Sequence, residues 1–257
     1  MIYGMYLSAQ GADANSVRMD VLANNMANAS TTSFKRDIPI FRINPPADEK
    51  QAPLAPLPGD LENHSGGISL EGMTTNFENG AFTTTGSDFD LALKGQGFFQ
   101  VGSAQKSYLT RNGSLSLDSK RRIVTADQGM PLLTRNGQEI TLPTDAVRME
   151  VSPDGLVTPF DAEGQALGSL GPIAVVMPNS LNELVKQGNS LYTTEGRVSD
   201  AAGPVSIQQG FLEASGTNSI EEMMELVTST RMFESNINMI KLQDDSLGRL
   251  LQSMPRR

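Results

Sequence analysis

The sequence predicts a mixed α and β chain: N- and C-terminal helices paired in a coiled-coil-like arrangement, with a central antiparallel β-rich domain. Two features of the 257 residues point there. Near each end, a stripe of residues recurs alternately four and three apart, the spacing of a helical seam. Between the ends, short alternating or apolar runs are separated by residues suited to turns.

The first helix is expected over about Ile2 to Asn25, on the stripe Met5, Ala9, Ala12, Ser16, Met19, Ala23 and Met26. Apart from the methionines these side chains are small, and Gly4 and Gly11 each cost a helix about 1 kcal/mol relative to Ala. Such a helix needs a partner. It ends in the polar run Asn24 to Ser33, whose short side chains compete for backbone hydrogen bonds. Residues 44 to 72 then contain Pro45, Pro46, Pro53, Pro56 and Pro58 and few large apolar side chains, the composition of an extended linker or surface arm.

Strands are expected at Phe89 to Leu93, Gly97 to Val101, Tyr108 to Thr110, Ser114 to Leu117 and Arg122 to Thr125. Further runs follow at Met130 to Leu133, Ile140 to Leu142, Arg148 to Val151, Pro172 to Met177 and Ser190 to Thr193. The turns between them include Asn112-Gly113, Arg135-Asn136-Gly137-Gln138, Pro153-Asp154-Gly155 and Ala162-Glu163-Gly164.

The last helix carries the stripe Phe233, Ile237, Ile240, Asp244, Leu247, Leu251 and Met254. Ser219 and Glu222 have capping-box spacing, Glu221 and Glu225 suit the positive end of the helix, and Arg249, Arg256 and Arg257 suit the other end. About 35 helical residues span roughly 50 Å, a seam too long for the shorter, Ala-rich first helix to cover alone. The division expected is a helical assembly domain of residues 1–36 plus 219–257, a Pro-rich arm of 37–84 and a β domain of 85–218. Residues 1–36 carry +1 and residues 219–257 carry −1, so the whole net charge of −9 falls on the middle.

Composition excludes several classes. With no Cys there is no disulfide, no thiolate nucleophile and no Cys-based metal site. The acidic balance argues against nucleic acid as a partner. No apolar run reaches membrane-span length, and the N-terminus lacks the pattern of a cleaved signal. His64, the only histidine, stands in the Pro-rich stretch and makes a poor general base there. Asp88 with Asp90, and Asp244 with Asp245, are the carboxylate pairs that could serve a glycosidase. The first pair flanks a strand and the second lies on the helical stripe, so both read as structural. Gly95-Gln96-Gly97 leads into a strand, unlike a dinucleotide loop, and no residue pattern supports a cofactor or a metal. Met residues on the helical stripes, among them Met223, Met224 and Met239, suit a core or an adaptable packing surface.

Three segments resemble the signatures of bacterial flagellar rod and hook proteins. The first is Ala23 to Arg36, with Asn24, Asn25, Asn28, Thr31, Phe34 and Lys35. The second is Thr85-Gly86 with Asp90 to Phe99, including Gly95, Gly97, Phe98 and Phe99, followed by Tyr108 to Ser114 with Thr110, Arg111 and Gly113. The third is Gly210 to Ser215, with Leu212 and Glu213, followed by Glu221, Glu222, Met223, Arg231, Phe233 and Glu234. The resemblance implies a structural subunit, not an enzyme, exported through the flagellar type III apparatus and polymerised with itself and other rod and hook proteins into the periplasmic rod. It also implies that the terminal helices form an inner layer and the β domain faces outward. The chain departs from the pattern at Ser33, where Gly or Pro is usual, and at Ser215-Gly216-Thr217, where Ser-Asn-Val is usual; the second change should loosen the approach into the last helix. A Pro-rich stretch in place of a longer Tyr-Gln segment favours the proximal over the distal rod type or a short hook protein. From other classes, the rivals are a peptidoglycan-cleaving carboxylate enzyme and a surface-displayed β binding module.

Overall fold

The computed structural model describes residues 2–44, 66–103, 106–194, 196–201 and 205–253. It contains an N-terminal helix α1 (Ile2–Ala27), a C-terminal helix α2 (Ser219–Ser253) and, between them, short strands that pair antiparallel. The chain divides into two compact units: residues 1–27, 37–75 and 218–257, and residues 28–36 and 76–217. The boundary expected after residue 36 is also a boundary between these units, with different segments on its two sides. Residues 28–36 belong with the β unit, and residues 37–75 belong with the helices.

In the helical unit α1 and α2 run antiparallel. A Cβ on Gly4 would lie 2.9 Å from the Gln243 amide, and one on Gly11 would lie 2.9 Å from the Asn236 amide. Thr230 Oγ1 meets Met19 Sδ at 3.4 Å, and Asn25 Nδ2 lies 3.5 Å from Glu222 Oε2. Numbers rise on one helix as they fall on the other, and both members of a pair step by about seven. The face that α2 turns inward is therefore Glu222, Leu226, Ser229, Phe233, Asn236, Ile240, Gln243 and Leu247, all buried or half-buried.

This corrects the stripe expected on α2. Phe233, Ile240 and Leu247 lie on the seam and Ile237 is half-buried beside it, but Asp244 and Leu251 are exposed. Their rung is taken by the polar row 222, 229, 236 and 243. At 243 and 236 the physical reason is Gly4 and Gly11: where the facing helix has no side chain, an amide side chain fills the gap. Of the α1 stripe, Ala12 is buried, Met5, Ala9, Met19 and Met26 are half-buried, and Ala23 is exposed. Val21, Leu22 and Asn25 are buried instead, because α1 also packs on two strands and so has a wider buried face than a two-helix stripe. Met254 lies outside the described residues.

Those strands, β1 (Asp37–Ile43) and β2 (Ile68–Thr75), pair from Asp37↔Thr75 to Ile43↔Ile68 with a bulge beside Ile40 and Phe41. They occupy both ends of the segment expected to be an extended arm. β-branched Ile38, Ile40, Ile43 and Ile68 suit strands even though no strict alternation announces them. The five prolines lie outside the described residues.

The β unit holds β3 (Phe82–Thr84), β4 (Leu91–Lys94), β5 (Phe98–Gly102), β6 (Ser107–Thr110), β7 (Leu115–Leu117) and β8 (Ile123–Thr125). Next come β9 (Arg148–Val151), β10 (Val157–Phe160), β11 (Val175–Pro178), β12 (Val185–Gly188) and β13 (Leu191–Thr193). Last are β14 (Val198–Asp200), β15 (Ser206–Gln209) and β16 (Phe211–Glu213). One sheet has six strands in the order β12-β13-β6-β5-β11-β14, and β15 pairs with β4 and β16 with β3. The expected strands at 130–133 and 140–142 form only isolated bridges, such as Val101↔Leu132 and Leu133↔Glu139. Alternation along β5 sends Phe99 and Val101 into the larger core and Phe98 into a smaller one with Leu109, Val176 and Tyr192. Gly113 is needed for close approach rather than for a turn. A Cβ there would overlap the Leu91 carbonyl, whose own N–H donates to Gly113 O at 2.9 Å.

Candidate assembly site

Signature residues Asn25 in the helical unit and Lys35, Arg111 and Glu213 in the β unit form two buried knots, one within each unit. In the β unit, the Lys35 ammonium donates to Glu213 Oε1 and to the Glu78 carbonyl, each at 2.7 Å. Both side chains of the pair are 1% exposed. Gly80 N–H donates to the same Glu213 oxygen at 2.8 Å. Arg111 stands beside them, donating to the carbonyls of Leu93 and Gly95 and to Asn79 Oδ1, with its guanidinium 5.5 Å from the Phe98 ring centroid. Burial pulls the Lys35 pKa below its ordinary value, and Glu213 only partly restores it. Burial lowers Arg111 as well, against the attraction of Glu213.

Ser33 closes the turn from Asn28. It has φ 54°, donates from N–H to the Glu213 carbonyl at 2.9 Å and from Oγ to the Arg111 carbonyl at 2.9 Å. The departure from Gly is thus a left-handed residue whose hydroxyl offsets conformational strain of about 1 kcal/mol. Thr31 N–H donates to the Asn28 carbonyl, and Thr31 Oγ1 bonds Asn28 Oδ1. Phe34 lies under the Lys186 ammonium, 4.6 Å from its ring centroid. The expected loosening at Ser215-Gly216-Thr217 meets a tied segment: Ser215 Oγ donates to the Asn28 carbonyl at 3.0 Å and Gly216 N–H to the Phe34 carbonyl at 2.8 Å.

The other signature residues of the β unit hold strands in place. Thr110 Oγ1 donates to the Ser190 carbonyl and accepts from Asn112 N–H, and the Asp90 carbonyl accepts from Gly210 N–H at 2.8 Å. Gly97 and Phe99 are buried, and Leu212 pairs with Thr83 between β16 and β3.

In the helical unit the knot centres on Asn25, fully buried. Its Nδ2 donates to the Asp37 carbonyl at 2.9 Å and reaches Glu222 at 3.5 Å, while its Oδ1 accepts from Asp37 N–H at 3.1 Å. Thr75 Oγ1 donates to Asp37 Oδ1 at 2.7 Å. The start of α2 is capped one residue earlier than expected: Asn218 Oδ1 accepts from Ile220 N–H and the Asn218 carbonyl from Glu222 N–H. Glu222 is buried on the seam, with its carboxylate facing the Asn25 amide. Asn24, Arg231 and Glu234 are exposed.

Away from α1, α2 presents an uncovered apolar surface: Ile220, Met224 and Leu251 are 69%, 67% and 68% exposed, and Met223, Val227, Met239 and Leu242 are also exposed. Met223, Met224, Met239 and Leu251 of this surface were singled out in the sequence, whereas Ile220, Val227 and Leu242 and the bonds of the Asn25 knot were not. The seven-residue recurrence of Glu222, Ser229, Asn236 and Gln243 was the available signal.

The residues weighed for chemistry do not gather. Asp88 and Asp90 stand half-buried at the start of β4, Asp244 and Asp245 are exposed on α2, and His64 lies outside the described residues. Among the described residues no group of three or more His, Cys, Asp or Glu could hold a metal ion, and no helix is long and apolar enough to cross a membrane.

Two long terminal helices, an uncovered apolar surface on one of them and signature residues spent on internal ties define a structural subunit built for packing with neighbours. The chain matches the families described as flagella basal body rod protein over residues 5–35, flagellar hook protein FlgE/F/G D1 domain over 92–159, and flagellar basal body rod FlgEFG protein C-terminal over 208–253. It is 30% identical to the flagellar basal-body rod protein FlgG of Bacillus subtilis over 98% of both chains. It is 32% identical to the flagellar basal-body rod protein FlgF of Caulobacter vibrioides over 86% of this chain and 85% of that one. The chain belongs to the flagellar basal-body rod protein family, whose members are structural subunits and not enzymes.

Proposed function

We propose that the chain is a subunit of the flagellar basal-body rod, polymerising through its terminal helices and transmitting torque by repeated packing. Its partners are further copies of itself and other rod and hook proteins. It reaches the periplasmic rod through the flagellar type III export apparatus. The observation that carries the reading is the apolar surface of α2 left uncovered by α1. A seam of about 50 Å with Ile220, Met224 and Leu251 turned outward is costly in water and stable once packed against neighbouring helices. In such a polymer the paired helices are coiled-coil-like, with Met residues adapting to non-identical neighbours.

The proximal type is favoured by the Pro-rich stretch in place of a Tyr-Gln segment. The distal type is favoured by the alignment with FlgG proteins over almost the whole of both chains. The test is to delete the gene, image isolated basal bodies by electron microscopy and measure motility. A rod that stops short is expected, and the length of the stump separates proximal from distal. Complete rods in motile cells overturn the proposal.

A further inference from the structure

The chain passes between its two units four times, after residues 27, 36, 75 and 217. Each unit ties its own four ends together. In the helical unit Asp37, Thr75 and Asn218 stand at a passage and Asn25 two residues before one. The bonds Asn25 to Asp37, Thr75 to Asp37, Asn25 to Glu222 and Glu222 to Asn218 link all four. In the β unit Asn28, Arg36, Asn76 and Thr217 stand at the passages. Ser215 Oγ joins the Asn28 carbonyl to Thr217 N–H, Asn76 N–H donates to the Arg36 carbonyl at 2.8 Å, and Lys35 binds Glu213 and Glu78 together.

We infer that the two knots are mechanical anchors, and that the signature residues Asn25, Lys35 and Glu213 share load among the four passages. This rests on the torque-transmitting reading. Strands tied side by side near their points of exit are loaded together, whereas untied strands peel away one after another at lower force. The short charge-assisted bonds among them, Lys35 to Glu213 and Thr75 to Asp37 at 2.7 Å each, suit the task, since they are directional and about twice as strong as neutral ones, while apolar contacts slide. A purely stabilising role would not require every passage to be tied in both units.

The absence of Cys allows a direct test on the full chain. Cysteines placed at exposed positions of each unit, D13C and E163C, serve as handles for single-molecule pulling. Against this background, N25A and K35M/E213Q should lower the first rupture force about twofold. L115A truncates a β-core side chain that takes part in neither set of ties, so it costs equilibrium stability without removing a tie and should leave that force near the parent value. Rupture of the knot variants at the parent force, or an equal fall in the control, overturns the inference. In cells, K35M/E213Q rods that assemble but stall at a lower bead load support it, and an unchanged stall load overturns it. Complete rods in the deletion strain would instead remove the rod reading and leave the rupture result standing, so the two failures are distinguishable.

Discussion

Asn25 and Asp37, twelve residues apart, exchange two hydrogen bonds: the side-chain amide of Asn25 donates to the Asp37 carbonyl at 2.9 Å and its Oδ1 accepts the Asp37 N–H at 3.1 Å. A primary amide presents a donor and an acceptor side by side, as a strand neighbour does, so Asn25 starts β1 from the end of a helix. The same Nδ2 faces the buried Glu222 carboxylate.

Asn25→Ala should therefore remove both hydrogen bonds to the Asp37 backbone and the contact with Glu222, at a cost of about 2 to 4 kcal/mol. Asn25→Asp should be worse, because it turns the donor into a second carboxylate beside Glu222. Hydrogen exchange at the Asp37 amide checks both; protection equal to the parent would refute the assigned role.

Lys35→Met leaves the Glu213 carboxylate buried with one oxygen already lacking a hydrogen-bond partner among the described residues. The expected loss is about 3 to 5 kcal/mol, the cost of an uncompensated buried charge. Lys35→Met with Glu213→Gln removes the charge and keeps an acceptor for Gly80, so most of the loss should return. Urea unfolding of the parent, both singles and the double mutant completes the cycle. A double mutant as unstable as the two singles combined would mean that the pair acts independently.

The same lysine sets a pH dependence. Its folded pKa is lowered by burial, with Glu213 opposing the shift, while the unfolded chain titrates near 10.5. Between the two values the unfolded state binds more protons, so the Lys35 contribution makes stability rise with pH across that window and makes it lowest where both states are protonated. The parent's urea midpoint, measured relative to Lys35→Met, should climb between the folded pKa and 10.5. A flat difference would refute the shift.

Gly11→Ala and Gly11→Leu should behave differently. The added methyl meets the tip of Asn236, a flexible side chain that can move, and Ala gains about 1 kcal/mol of helix propensity. Ala should be near neutral, whereas Leu should push α2 away and abolish helix pairing. Thermal melting followed by circular dichroism distinguishes them; equal melting temperatures would mean that the helices are not in close contact at Gly11.

The ends and much of the β unit were legible because their signals are periodic and local. Alternation and turn residues located β4 to β9, β11 and β13, and Pro153-Asp154-Gly155 does separate β9 from β10. The strands β15 and β16 escaped because they are short and flank Gly210, where few residues carry a pattern. The knots escaped for another reason. Lys35 and Glu213 are separated by 178 residues, and a polar pair across that distance leaves no period in either segment. Family resemblance marked those residues without saying what they do. On α2, the rule that apolar residues form the seam passed over Asn236 and Gln243, whose amides fill the space opposite Gly11 and Gly4, an inversion of the usual preference.

That inversion separates two roles on one helix. Ile240 faces α1 on the seam, while Leu251 lies outward and is 68% exposed. Leu251→Asp should change the stability of the isolated chain by no more than about 0.5 kcal/mol, as for other surface substitutions, yet block polymerisation by placing a charge where a neighbour must pack. Ile240→Asp buries a carboxylate between α1 and α2 and should lose helix pairing as well as assembly, with the β unit still folded. Sedimentation of purified protein and incorporation into basal bodies read the two consequences separately. Leu251→Asp subunits that enter rods at parental levels would show that the outward row is not an assembly surface. Ile240→Asp subunits that melt with the parent would show that the seam is not where the packing places it.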